Sequence, residues 1–331
     1  MIAFLYPGQG SQQEKMGLDL YEKFPEVKEY YDALAGELDG KADGEPDMDF
    51  LNLAFEGDMA TVSATSNTQP LMVAFQNAVT MLLKEKGIFP DYAAGLSLGE
   101  YSALCAAGVL DKLDAVKIVR KRGLAMEKSS EGVDTKMSAI IGAEEELVSA
   151  VCEAVNAGFA SGACESADAG QQEGKVYMAN LNCPGQIVIS GQRDAVNKAE
   201  ELLAEKGVKR AIELKVSGPF HTPYMSHASE ELKKIFEDVE FGNQELSVVF
   251  TLTGGVLEDG EIKEAMIKQV VSPVLFEKSL RFMLEAGVDT FVEIGCGKSI
   301  AGFLRKIDKN AKVYEINDES TLNKFLEERD A

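Results

Sequence analysis

Gly95-Leu96-Ser97-Leu98-Gly99 sets a serine between two glycines, each two positions away. A serine on a tight strand-to-helix turn projects its hydroxyl, and the flanking glycines leave room for a crowded backbone. The chemistry such a turn serves is attack on a carbonyl carbon. Free N–H groups at the start of the following helix would hold the resulting oxyanion. In a chain with 30 glycines the pattern alone says little. Its context says more: a short apolar run over 91–96 precedes it, and an Ala-rich helical stretch through Ala107 follows.

A serine nucleophile needs a general base. The chain has 2 histidines, His221 and His227. His221 lies in Gly218-Pro219-Phe220-His221-Thr222-Pro223, between prolines that restrict its backbone, and is the better candidate. His227 falls inside the next helical segment, where a structural role is the simpler reading. A hydrolase triad in the order Ser, acid, His would place an acid between Ser97 and a late histidine. No position identifies that acid, so a Ser–His dyad is the more economical reading. Arg122 is a candidate for holding a substrate carboxylate, because a planar guanidinium grips one through two parallel bonds that lysine cannot reproduce. Its neighbours Arg120 and Lys121 leave open that it is a surface helix charge. Pro7-Gly8-Gln9-Gly10 reads as a turn that could face the serine or as a turn alone.

These residues need elements to carry them. Periodicity and Gly/Pro punctuation predict a strand over 2–6, helix over 21–38, an exposed loop over 36–49 and a long helix over 68–86 with Pro70 near its start. The strand over 91–96 and helices through 107 and over 111–126 complete a βα layer with a parallel sheet. After about residue 128 the pattern becomes strand 136–141, helix 144–155, strands 176–180 and 186–190, helix 194–206 and strand 210–216. That βαββαβ order is the ferredoxin-like one. Residues 157–174, rich in Gly, Ala, Ser and acids, read as a flexible insertion. Buried strands return at 246–252, 290–294 and 313–316. The expected fold is α/β: a large α/β-hydrolase-like domain with a parallel sheet (1–127 and 217–331) and an inserted ferredoxin-like small domain (128–216).

Composition narrows the field. The 331 residues are 45% hydrophobic, enough for a sizeable core. A net charge of −22 argues against nucleic-acid or anionic-membrane binding. No stretch reaches the ~18–20 apolar residues of a membrane span. The N-terminal run lacks the basic start and apolar length of a signal peptide, so a cytoplasmic location is expected. Five cysteines, Cys105, Cys152, Cys164, Cys183 and Cys296, show no paired spacing, and reduced, mostly buried thiols are expected rather than disulfides or a metal site.

Several segments, in order, resemble the malonyl-CoA:acyl-carrier-protein transacylases of fatty-acid synthesis. They are Phe4-Leu5-Tyr6-Pro7-Gly8-Gln9-Gly10-Ser11-Gln12, Asn67-Thr68-Gln69-Pro70, Gly95-Leu96-Ser97-Leu98-Gly99-Glu100-Tyr101-Ser102-Ala103-Leu104 and Val119-Arg120-Lys121-Arg122-Gly123. Asn180-Leu181-Asn182-Cys183-Pro184-Gly185-Gln186 and Phe220-His221-Thr222-Pro223 follow. The acyltransferase domains of polyketide synthases are related. The resemblance implies Ser97 as nucleophile and His221 as base. It implies the amides of Gln9 and Leu98 as oxyanion hole, and Arg122 as the grip on the malonyl carboxylate. Gln269 would orient the histidine through its main-chain carbonyl. Phe220, directly before the histidine, goes with malonyl over methylmalonyl selection in the related modules. Leu96 stands where the family usually has histidine, and Gly295-Cys296-Gly297-Lys298 replaces a late Gly-Pro-Gly-Lys pattern. Val292 rules out a phosphate loop at Gly297-Lys298, which needs glycine there.

The implied reaction is ping-pong malonyl transfer from malonyl-CoA to the phosphopantetheine thiol of acyl carrier protein, with no cofactor or metal, by a chain expected to be a monomer. Carrier proteins of this pathway are acidic, so a local basic patch is expected from Lys117, Lys121, Lys128, Lys136, Lys209 and Lys215. The alternatives are a serine thioesterase or hydrolase, a trans-acting acyltransferase of polyketide synthesis, and a catalytically silent carrier-binding protein.

Overall fold

The structure, a computed structural model, describes residues 1–39, 48–160 and 174–330. Within them the strands are β1 (Ile2–Tyr6), β2 (Tyr92–Gly95), β3 (Thr135–Ile141), β4 (Val176–Cys183) and β5 (Gln186–Gln192). They continue with β6 (Arg210–Glu213), β7 (Ser247–Phe250), β8 (Gly255–Val256), β9 (Thr290–Ile294) and β10 (Lys312–Ile316). One sheet has the order β10-β9-β1-β2-β7-β8 and is parallel except at the β7–β8 edge. The other, wholly antiparallel, has the order β4-β5-β3-β6. With its two helices it is the ferredoxin-like βαββαβ unit, inserted between the strands of the α/β part.

β1 shows why the parallel sheet is central. Ala3 and Leu5 pack on one face, Phe4 and Tyr6 on the other, and all four are fully buried. A strand covered on both faces reads as a continuous apolar run, as 2–6 does. The small sheet has its own core. Val148, Val151, Cys152 and Val155 recur at helical spacing along Glu145–Ala160 and meet Val196, Ala199 and Leu203 from Arg193–Glu205.

Several boundaries differ from the sequence expectation. The helical stretch 21–38 is two helices, Leu18–Lys23 and Pro25–Leu38, because Pro25 starts a new helix more readily than it continues one. The second of these takes in 36–38, so the expected loop begins later; 40–47 lie outside the described residues. The long helix begins at Thr65, which puts Pro70 inside it. A proline there leaves the carbonyl four residues back without its helical donor. That carbonyl, on Ser66, instead accepts from Arg120 Nη1 at 2.9 Å. Residues 157–160 are helix, and the rest of the expected insertion, 161–173, lies outside the described residues. The four cysteines among the described residues are free thiols. Among the described residues no helix is long and apolar enough to cross a membrane.

Candidate active site

β2 ends at Gly95, and the helix Gly99–Ala106 starts four residues later. Ser97 sits between them in the left-handed region, with φ 57°. A Cβ on Gly95 would lie 1.9 Å from the Gly99 carbonyl carbon, and one on Gly99 would lie 2.1 Å from the Tyr6 oxygen. Both glycines are therefore required by contact, the first within the turn and the second against β1. The turn holds Ser97 in a conformation that costs an L-residue roughly 1–2 kcal/mol, a strain that often marks a functional position.

His221 Nε2 lies 2.8 Å from Ser97 Oγ. Its Nδ1 lies 3.1 Å from the Gln269 main-chain oxygen. A carbonyl accepts only, so Nδ1 carries the proton and Nε2 presents its lone pair to the serine hydroxyl. His221 is also at positive φ, 59°, which the flanking prolines do not disclose. The ring is buried. Desolvation first, and then the nearby Arg122 charge, lower its pKa to about 4, so it is a neutral acceptor at neutral pH.

Arg122 comes from the helix Lys112–Ser129 and is not a surface charge: it is 1% exposed. Its Nη2 donates to Ser97 Oγ at 3.1 Å and to Gln269 Oε1 at 3.1 Å, and its Nη1 donates to Gln69 Oε1 at 2.8 Å. These acceptors are neutral oxygens, so no bound carboxylate cancels the charge within this set. Tyr101 stacks beneath it, 5.7 Å from guanidinium carbon to ring centroid.

Gln9 and Leu98 line the same cavity of about 250 Å³ as Ser97, Arg122 and His221. The Gln9 side chain is tied to Thr65 Oγ1 at 3.0 Å, which anchors the turn after β1. Leu98 caps the helix Gly99–Ala106, where amides lack helical acceptors. The cavity wall includes Met137, Asn180, Val188 and Leu214 of the ferredoxin-like unit, so the cleft lies between the two sheets. Phe220 and Leu96 line it as well.

Thus Ser97, His221, Arg122, Gln9 and Leu98 all line one cleft, and Gln269 is hydrogen-bonded to the first three of them. Sequence reasoning assigned nothing to Gln69, Glu100 or Thr251. Glu100 is buried and accepts from Thr251 and from Gln269 Nε2. Its signal was an acid on an otherwise apolar helix face. Of the lysines expected to form a basic patch, Lys136 is largely buried and paired with Glu200, and Lys117 is paired with Asp114 and Glu37. Both are corrections: Glu200 and Glu37 from neighbouring helices, and Asp114 from the same helix as Lys117, neutralise them. Lys121, Lys128, Lys209 and Lys215 are exposed.

This geometry fits acyl transfer through a serine ester, and the comparisons point to acyl transfer. A family model described as "Acyl transferase domain" matches residues 3–163. The malonyl CoA-acyl carrier protein transacylase of Bacillus subtilis strain 168 is 41% identical over 97% of this chain and 95% of its own length. The chain belongs to the malonyl CoA-acyl carrier protein transacylase family. Solved transacylases share its fold. The crystal structure of MCAT from Streptococcus pneumoniae superposes with a TM-score of 0.88 at 39% identity, covering 99% of this chain and 100% of that one. Another solved malonyl-transacylase, in complex with its type II PKS acyl-carrier protein, gives a TM-score of 0.88 at 32% identity, covering 99% of each chain.

Proposed function

We propose that this transacylase moves malonyl from malonyl-CoA to the phosphopantetheine thiol of acyl carrier protein, in fatty-acid synthesis, through an ester on Ser97. The observation that carries it is one hydroxyl shared by two groups: Ser97 Oγ lies 2.8 Å from His221 Nε2 and 3.1 Å from Arg122 Nη2. Imidazole activates the oxygen, and the guanidinium anchors the carboxylate of a dicarboxylic acyl group.

Ser97 Oγ attacks the thioester carbonyl carbon and gives its proton to His221 Nε2. The amides of Gln9 and Leu98 hold the oxyanion, each donor being worth roughly 2.7–4 kcal/mol in such sites. The C–S bond breaks, the coenzyme A sulfur takes the proton from His221, and malonyl remains on Ser97. The carrier thiol then attacks the ester, its proton passing through His221 to Ser97 Oγ as the C–O bond breaks. Gln269 keeps the imidazole in the working tautomer in place of a triad acid. Phe220 narrows the cavity against an α-methyl branch, a preference of ~1–3 kcal/mol.

The division 1–127 with 217–331 against 128–216 places the cleft at the junction of two units. The exposed Lys121, Lys128, Lys209 and Lys215 supply positive charge against the net −22 of the chain. Carrier-dependent turnover is expected to slow with added salt; a rate that rises with salt would contradict this local attraction. Malonyl-CoA supplied without carrier separates transferase from hydrolase. A persistent acyl-enzyme supports the transferase, and rapid release of free malonate supports the esterase.

A further inference from the structure

Glu100, Gln269 and Arg122 are each at most 2% exposed and form a chain of hydrogen bonds beneath the nucleophile. Glu100 Oε1 accepts from the Thr251 amide and hydroxyl, and its Oε2 accepts from Gln269 Nε2 at 2.5 Å. Gln269 Nε2 also donates to the Ser97 carbonyl at 2.9 Å. At its other end, Gln269 Oε1 accepts from Arg122 Nη2.

We propose that Glu100 is a positioning residue for the malonyl-binding guanidinium, acting by fixing which end of the Gln269 amide faces Arg122. The inference rests on the reading of Arg122 as the carboxylate grip.

An amide side chain has two ends of similar shape and opposite hydrogen-bonding sense. A carboxylate and a main-chain carbonyl both accept, so they hold the NH₂ end. The guanidinium only donates, so it needs the oxygen end. Reversing the amide would set two donors against each other at Arg122 and two acceptors against each other at Glu100. In the observed orientation Arg122 is held by neutral oxygens, and its Nε has no acceptor among the described residues. A direct Glu100–Arg122 ion pair would instead fill the fork meant for substrate. Burial pushes the Glu100 carboxyl up to about 7, against the pull of its Thr251 and Gln269 donors and the Arg122 charge.

Gln269 serves His221 through a different atom. Its main-chain oxygen ends the helix Ile262–Gln269 and also accepts from the Ser272 amide at 3.2 Å. Turning the side-chain amide leaves that carbonyl in place. Disturbing Glu100 therefore weakens malonyl binding more than proton transfer.

Glu100→Gln tests this. A glutamine there has one NH₂ end, while the Thr251 amide and Gln269 Nε2 are both donors. The escape is rotation of the Gln269 amide, which turns its NH₂ onto Arg122. Acylation of Ser97 is followed by rapid quench and intact mass, with malonyl-CoA and acetyl-CoA as donors. The expected result is a malonyl-to-acetyl ratio of kcat/KM lowered about tenfold, the scale of one charge-assisted contact. The loss should lie in KM for malonyl-CoA rather than in the maximal rate. Thr251→Val, which removes one donor to Glu100, should shift the ratio the same way by a smaller factor, and it decides the question alone if Glu100→Gln does not fold. Equal loss with both donors, or an unchanged ratio in folded protein, overturns the inference. Arg122→Ala is run beside them. If it too leaves the ratio unchanged, the carboxylate reading itself falls; if it lowers the ratio and the Glu100 and Thr251 variants do not, only the role of Glu100 falls.

Discussion

Arg122 Nη2 lies 3.1 Å from Ser97 Oγ, although Ser97 sits in the turn before the helix Gly99–Ala106 and Arg122 comes from the next helix, Lys112–Ser129. On the proposed reading, a buried cation at hydrogen-bond distance from the nucleophile favours a substrate that carries an anion. A neutral acyl group leaves the charge uncompensated, while malonyl brings a carboxylate one methylene away from the carbonyl to be attacked.

Replacing the guanidinium therefore separates donors. Arg122→Ala is expected to lower kcat/KM for malonyl-CoA by about 30- to 1,000-fold, from ~2–4 kcal/mol of lost charge-assisted bonding. Acetyl-CoA should gain relative to malonyl-CoA. Steady-state kinetics with the two donors check this, and unchanged malonyl kinetics would remove Arg122 from its role.

Burial first, and then the same charge, set the state of the base. Burial and Arg122 both disfavour the imidazolium, which places His221 near pKa 4. With 2 histidines in the chain, an NMR titration resolves both, and His227→Gln assigns them. The expected His221 midpoint is near pH 4. Arg122→Met should raise it toward the unperturbed value of about 6.5. A wild-type midpoint at or above that value would contradict the burial argument. Sign follows for folding too: between pH 4 and about 6.5 the unfolded chain binds this proton and the folded chain does not, so the group's contribution to stability rises with pH in that window.

Ser97 stores strain at φ 57°. Ser97→Gly and Ser97→Ala both remove the nucleophile, but glycine accepts the left-handed backbone. Ser97→Gly should be the more stable of the two by about 1 kcal/mol in denaturant unfolding. Equal midpoints would mean that the turn relaxes when the hydroxyl is lost.

What could be read from the chain divides along a physical line. The elbow was legible because its glycines answer to contacts within a few residues of the serine and to the adjacent strand. His221 was legible because few other bases exist. β1 and β9 were legible to the residue, since buried parallel strands are continuous apolar runs between turn signals. By contrast, the helices Ile262–Gln269 and Phe276–Glu285 went unassigned. The Glu100–Gln269 bond spans 169 residues and the Arg122–Gln269 bond 147, and no local pattern reports such pairs. The resemblance supplied Gln269 through its carbonyl. The work of its side chain exists only in the folded arrangement, where Glu100 and Arg122 meet its two ends. Lys136 failed as a surface charge because Glu200 meets it from a neighbouring helix. Pro70 sits within a helix because Arg120 occupies the carbonyl it frees.

The most direct test is intact-mass analysis of the protein mixed with malonyl-CoA, followed by addition of carrier bearing phosphopantetheine. One malonyl group should appear on the protein, map to Ser97, and move to the carrier. No adduct in the wild type, an adduct that persists in Ser97→Ala, or one that hydrolyses before any carrier is added would contradict transfer through this serine.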